Sequence, residues 1–395
     1  MERGAAREVL KIFARLGCTS FGGPVAHIGI FRGEFVTRRR WLDEAGFADL
    51  VALCQFLPGP ASSQLGMAIG LLRAGPLGMF CAWAGFTLPS AALMVLFAYG
   101  VAWRGDPGQT GWLHGLKLVA VAVVAQAVWG MARSLCPDRA RATLAVLAIM
   151  FTLALPGAAG QVGAIALGAL AGFFVLPRPK MNDLDGTVFR APVSHHAAVL
   201  LIAVFFALLL GLPMLDAAIG SATENTFSAF YRAGTLVFGG GHVVLPLLQD
   251  SVVGAGWVDQ NRFLAGYGAA QAVPGPLFTF AAYLGAARIF PPNGVAGAAL
   301  ALVAIFLPSF LLVPGALPAW DALRRRAGAQ AALRGVNAVV VGLLAAALYA
   351  PVWTSAVFRP ADFAVCVAAF LLLTGWEVAP WIVVALGAAA GWALG

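Results

Sequence analysis

Three cationic side chains, Arg15, Lys117 and Arg232, fall inside apolar segments of this 395-residue chain. A charge at membrane depth is costly and marks a functional candidate. Two of the three occupy matching places. Arg15 stands six residues before Phe21-Gly22-Gly23, and Arg232 six before Phe238-Gly239-Gly240. A guanidinium can give two parallel hydrogen bonds to a tetrahedral oxyanion. Either arginine could instead snorkel toward an interface, Arg15 especially, so near the start of the chain. No Asp or Glu falls deep in a long apolar run; Asp49 lies only at the beginning of one. A carrier of metal cations would show carboxylates there, so the sign of the charge points to an anion.

The second set of candidates is a pair of breaks. Pro58-Gly59-Pro60 and Pro274-Gly275-Pro276 interrupt apolar elements, each three residues after a glutamine, Gln55 and Gln271. Proline removes a backbone donor and glycine relaxes the chain, so a helix should stop there. The half-helix that follows presents free N–H groups and the positive end of its dipole, an anion site. Ser62 and Ser63 follow the first break and Thr279 the second. A kinked helix packed tightly at glycine is the alternative. His27 and His242 each follow a glycine turn, though not at equivalent positions, and could donate a hydrogen bond, carry a proton or simply pack a loop. No zinc-type spacing, Ser-His-Asp set or phosphate-binding loop is found.

These elements belong to a duplication. Arg15 and Arg232 lie 217 positions apart, as do Phe21 and Phe238; Trp41/Trp257, Asp43/Asp259, Phe47/Phe263 and Gln55/Gln271 lie 216 apart. Leu88-Pro89-Ser90 matches Leu307-Pro308-Ser309, and Gly115 matches Gly335. The sequence therefore divides into a first repeat over 1–176, a linker with one unpaired helix over 177–212, and a second repeat over 213–395. Six elements return the chain to its starting side, and the extra helix Ala197–Leu212 delivers the second copy upside down. That is the inverted-repeat plan of many secondary transporters.

Composition sets the class. The chain is 61% hydrophobic and 11% charged, against about a quarter charged in a soluble domain. An all-α polytopic membrane protein follows. The net charge of +8 comes from loops beside apolar runs, which speaks for membrane topology and against nucleic acid. Excluding the three embedded cations, Lys and Arg divide 15 to 7 if all thirteen elements cross. They divide 18 to 4 if the Gly-Gly and Pro-Gly-Pro elements are re-entrant hairpins. The second division is the cleaner positive-inside pattern. It gives nine crossings and four hairpins, with the N-terminus in the cytoplasm and the C-terminus outside.

Phe21-Gly22-Gly23-Pro24 with His27, the paired Gln-x-x-Pro-Gly-Pro motifs, and Phe238-Gly239-Gly240-Gly241-His242 resemble the chromate ion transporters in their two-domain, long-chain form. The resemblance covers almost the whole chain and is especially close over Gln271 to Gly285. It implies export of chromate across the inner membrane, and so chromate resistance, with sulfate as a similar dianion and no cofactor. With a negative interior, outward movement of a dianion is downhill by about 4–5 kcal/mol per 100 mV. Uptake of sulfate or another oxyanion would need a co-transported cation such as a proton. A passive anion channel is a further reading, and a lipid-phosphate enzyme would need a nucleophile or metal set that is not found. Oligomeric state stays open, a homodimer included.

Overall fold

The computed structural model is helical throughout the residues it describes, 3–103, 111–177, 192–219 and 221–394. Residues 178–191 of the linker expected over 177–212 lie outside them. Helix α1 (Arg3–Thr19) is followed by α2 (Gly23–Arg32), and α3 (Glu44–Phe56) by α4 (Ala61–Trp103). Both junctions sit where glycine and proline predict them. Gly22 and Gly23 take φ of 103° and 77°, and Gly59 takes 124°, values open to glycine and strained for other residues. Next come α5 (Gly111–Leu135), α6 (Arg139–Ala154), α7 (Ala158–Val175) and the unpaired α8 (His195–Ile219).

The second repeat runs through α9 (Ala222–Leu236), α10 (Val244–Val252), α11 (Gln260–Ala270), α12 (Phe280–Ala286) and α13 (Gly294–Ala316). A short α14 (Trp320–Arg324) precedes α15 (Ala327–Ala347), α16 (Pro360–Thr374) and α17 (Pro380–Leu394). The starts of α3 and α11 show how closely sequence and local structure repeat. Asp43 caps α3 by accepting from the N–H of Gly46, and Asp259 caps α11 by accepting from that of Arg262, satisfying donors that a helix start leaves open.

The broken elements return to the side they leave. Glu8, early in α1, meets both Arg39, beyond α2, at 3.0 Å and Arg73, beyond the first part of α4, at 3.4 Å. Arg73 also stacks on Trp41, just before α3, at 4.8 Å. The second repeat does the same, for Arg288 beyond α12 stacks at 4.3 Å on Trp257 before α11 and donates to Thr226 in α9. Within α4 the backbone leaves the helical region at Ala74 and Gly75. Gly70 and Gly78 then face one another so closely that neither has room for a Cβ. The later limb of α4 is thus a separate crossing helix, the counterpart of α13.

Among the described residues, five stretches are long and apolar enough to span a bilayer: Ala61–Ala102, Gly111–Leu135, His195–Ala218, Gly294–Ala319 and Ala327–Trp353. The other four expected crossings, α6, α7, α16 and α17, have 15 to 18 residues. At 1.5 Å per residue they reach about 22–27 Å, slightly under a ~30 Å hydrocarbon core. They are exchanged between repeats: α6 and α7 pack on α15, whereas α16 and α17 pack on α5. Glycine allows the close approach, with Gly115 against Gly387 and, at matching positions, Gly335 against Gly168, leaving no room for a Cβ. Helix α8 packs on α9 and α13 but leaves Leu200, Phe206, Leu210 and Met214 exposed, a face suited to lipid.

Candidate functional site

The helix breaks meet across the two repeats. Gly59 donates its N–H to the carbonyl of Val237 at 2.7 Å, and Gly275 donates to that of Ser20 at 2.8 Å. These four residues are symmetry mates, since Ser20 precedes Phe21-Gly22 as Val237 precedes Phe238-Gly239. Serines of the crossing helices complete each clasp. Ser90 donates to the carbonyl of Pro274 at 2.5 Å. Its mate Ser309 accepts from Gln64 Nε2 at 3.2 Å, and the same nitrogen donates to Pro58 O at 2.6 Å. Each Pro-Gly-Pro break is therefore held against the other repeat's Phe-Gly-Gly turn.

A cavity of about 90 Å³ opens at the clasp of Gly275. Gly22, Gly23, Gln126, His242, Gln271 and Gly275 line it, with Val123, Val273 and Leu277 as apolar wall. No carboxylate is among its described lining residues. Gly22 caps α2 in the left-handed region without a side-chain acceptor, so the first N–H groups of α2 lack helical partners. Gln271 Nε2 is buried without a hydrogen-bond partner. His242 Nδ1 lies 2.7 Å from the Tyr267 hydroxyl, which fixes the ring. Gln126 Nε2 donates to Leu373 O at 3.2 Å, tying the end of α16 to this level. Ser20 Oγ, Ser63 Oγ, Gln64 Oε1 and Asn337 Oδ1 are also buried without partners near the breaks. Unpaired polar atoms at this density suit a hydrated or ligand-holding region.

The other expected residues fall around this centre. His27 is buried behind the Gly22 turn, 3.3 Å from both Ser62 Oγ and Ser20 O, with its ring against Phe86. Thr279 Oγ1 turns back to Pro276 O. Phe21 and Phe238 are half-buried; Gln55 is exposed. Gly239 and Gly240 lie against Met131, and Gly239 also approaches Asn337 and Leu135. Lys117 is buried and donates to Asn261 at 3.1 Å, one turn from the His114–Asp362 contact at 3.0 Å.

The two arginines differ from expectation and from each other. Arg15 has an acid partner, Glu34, at 2.7 Å. Glu34 is 6% exposed and also receives Arg38 and Arg39 at 3.0 and 2.5 Å. Burial works to raise its carboxyl, but Arg39, Arg15 and Arg38 outweigh burial and hold it below the usual range. The acid was missed because it stands beyond the first apolar element, where the α2 hairpin carries it back. Arg232 has no partner among the described residues; it borders a small gap with Gln161, Leu247 and Ser251. Neither arginine lines the cavity at Gly22 and His242.

Sequence comparison decides the family. The chromate transporter family model matches the chain twice, over residues 7–173 and 225–392. The chain belongs to the chromate transporter family. A chromate transport protein of Pseudomonas aeruginosa is 29% identical over 349 residues, covering 85% of this chain and 78% of the relative. A probable chromate transport protein of Synechococcus elongatus is 25% identical over 364 residues, 87% and 83% of the two chains. A chromate transport protein of Cupriavidus metallidurans is 26% identical over 373 residues, 93% and 88%. No solved structure matches the chain. Within this chromate transporter family member, the double match falls on the two sets of helices that clasp each other at Gly59 and Gly275.

A larger cavity, about 430 Å³, lies between the α6–α7 turn and α10 and α15. Asp250 is among its lining residues and none of the four breaks reaches it, so it fits an anion less well.

Proposed function

We propose that the chain is a secondary carrier that exports a tetrahedral oxyanion, chromate foremost, from the cytoplasm. The observation that carries this is the cavity at the crossing of the helix breaks, whose described lining holds no acid. There Gly22 and Gly23 at the start of α2 meet His242 and Gln271, whose Nε2 has no partner. With Tyr267 donating to Nδ1, His242 keeps its proton on Nε2 and can donate to an oxyanion oxygen. Neutral donors and a helix dipole can stabilise an anion without a fixed charge at that point. The relatives named for chromate transport support the choice of substrate.

In this reading the repeats are inverted, the N-terminus is cytoplasmic and the C-terminus outside, in the inner membrane. Arg232 adds an unpaired positive charge from the second repeat, while Arg15 is engaged by Glu34. Movement would exchange the two clasps: loosening Gly59 from Val237 opens one side and loosening Gly275 from Ser20 the other. Everted vesicles loaded with the protein test it. Chromate entry should accelerate when the vesicle interior is made positive, and sulfate should compete. Equal rates with and without protein, at verified insertion, would remove the proposal; transport driven only by a proton gradient into the cytoplasm would replace export with import.

A further inference from the structure

The second repeat lacks two acids that the first repeat uses. Glu8 pairs with Arg73 at 3.4 Å and with Arg39 at 3.0 Å; at the matching position, 217 residues on, stands Asn225. Glu34 pairs with Arg15; its counterpart by the same offset is Ser251. The arginines themselves remain. Arg288 repeats Arg73, for each stacks on the matching tryptophan, Trp257 or Trp41. Arg288 is only 4% exposed, yet it has no acid partner among the described residues. Its Nη1 donates to Thr226 and to Pro292 O, and its Nε is buried without a partner. A buried cation without a carboxylate is costly unless something else supplies negative charge.

A cavity of about 310 Å³ adjoins it, lined by Tyr99, Arg262, Tyr283, Arg288 and Asn293 among others. Arg262 is paired at the rim with Asp259 at 3.2 Å, and the Tyr283 hydroxyl donates to Arg262 O. Among the described residues, no carboxylate lines the cavity. We propose that this cavity is a second binding site for a small tetrahedral oxyanion, held by Arg288 with Arg262, Asn293 and Tyr99. It lies where α11 begins and α12 ends, the membrane face opposite the Glu8–Arg39–Arg73 cluster if the repeats are inverted. There it would receive the exported dianion after the central cavity and pass it to the outside. That placement rests on the transport reading; the anion site itself does not. In the first repeat the same architecture is closed by Glu8. A negative side chain occupies there the electrostatic role that a ligand takes in the second.

The test is sulfate and chromate binding to the purified full-length protein by calorimetry, with chain folding followed by size-exclusion profile and thermal midpoint. Arg288→Gln should weaken one class of sites by about tenfold to a hundredfold, the factor expected for losing a hydrogen bond to a charged group. Asn225→Glu is the sharper variant, because it restores the first repeat's acid beside an unchanged arginine; it should abolish binding at that site and leave the fold intact. Gln271→Leu should spare this site while weakening the central one. If Arg288→Gln and Asn225→Glu bind sulfate and chromate with unaltered stoichiometry and affinity, the outer site does not exist. Loss of the outer site with no transport activity in the parent protein would retain the site and discard the carrier reading.

Discussion

Gly275 gives its N–H to the carbonyl of Ser20 while its α-carbon faces Ser90, with no space between for a methyl group. Its φ is 95°, so an alanine would be strained as well as crowded. Gly275→Ala should therefore separate the second Pro-Gly-Pro break from the first repeat and reduce chromate flux in everted vesicles at least tenfold. Ser90→Ala removes one hydrogen bond to Pro274 O and should cost about 1 kcal/mol of stability, with partial transport retained. Full activity of Gly275→Ala at normal expression would mean that the clasp does not matter for function.

The lining of the central cavity makes a prediction about charge. Gln271→Glu keeps shape and hydrogen-bonding length but places a carboxylate beside a dianion, and like charges at short range are repelled strongly in low dielectric. Gln271→Leu removes the donor alone, at a cost of roughly 1.5–3 kcal/mol in binding. Initial rates over a range of chromate concentrations should show KM raised about tenfold or more for Gln271→Leu, and no saturable transport for Gln271→Glu. If the two variants behave alike and like the parent, the anion does not pass Gln271.

Much of this centre was legible in the sequence because the signals are local. Glycine at positive φ and proline without an N–H stop a helix by their own chemistry, so the breaks at Gly22 and Pro58 and their copies fall where expected. The 216–217 spacing likewise reveals Trp41 and Trp257 as mates. What joins distant parts leaves no local trace. Nothing near Ser90 announces Pro274, and nothing in α7 or α17 announces that each packs on the other repeat. Arg15 looked unpaired because its acid is 19 residues away and is returned by a hairpin. Gln126 is a lone polar residue in an apolar run, a weak signal. Gln64, a donor just past the first break, and Ser309, of the repeated Leu-Pro-Ser, give no sign that they pair with each other. The exchange of Glu8 for Asn225 was readable from the offset alone, but its consequence needed the arginine that Glu8 meets.

Glu34 and its three arginines should govern acid sensitivity of the basic face. A carboxyl whose pKa is depressed in the folded state contributes stability above its unfolded pKa, about 4.3. That contribution is lost as pH falls through the lower folded value. Acidification below about pH 4 should thus lower the thermal midpoint of the parent protein more steeply than that of Glu34→Gln. At neutral pH the variant should be less stable by about 1–2 kcal/mol, since the carboxylate is buried but Arg15 and Arg38 are largely exposed and screened. Arg15→Ala should cost less, about 0.5–1 kcal/mol, and leave transport nearly intact. Parallel pH curves for parent and Glu34→Gln would show that this cluster does not set the acid limit.

The inversion of the repeats is open to a direct measurement. Thr37, between α2 and α3, and Ala255, between α10 and α11, are both exposed and occupy corresponding loops. Parallel repeats would place them on one membrane face and inverted repeats on opposite faces. The positive-inside distribution assigns the Thr37 loop, with Arg38, Arg39 and Arg40, to the cytoplasm. In a background where the five native cysteines are replaced by serine or alanine, Thr37→Cys and Ala255→Cys each supply one thiol. A membrane-impermeant maleimide applied to intact spheroplasts should label Ala255→Cys and not Thr37→Cys, and everted vesicles should give the reverse. Labelling of both from the same side would mean parallel repeats. The outer anion cavity beside Arg288 would then share a face with Glu8 and Arg73, and a dianion leaving the clasp at Gly275 would have no distinct outer site to reach.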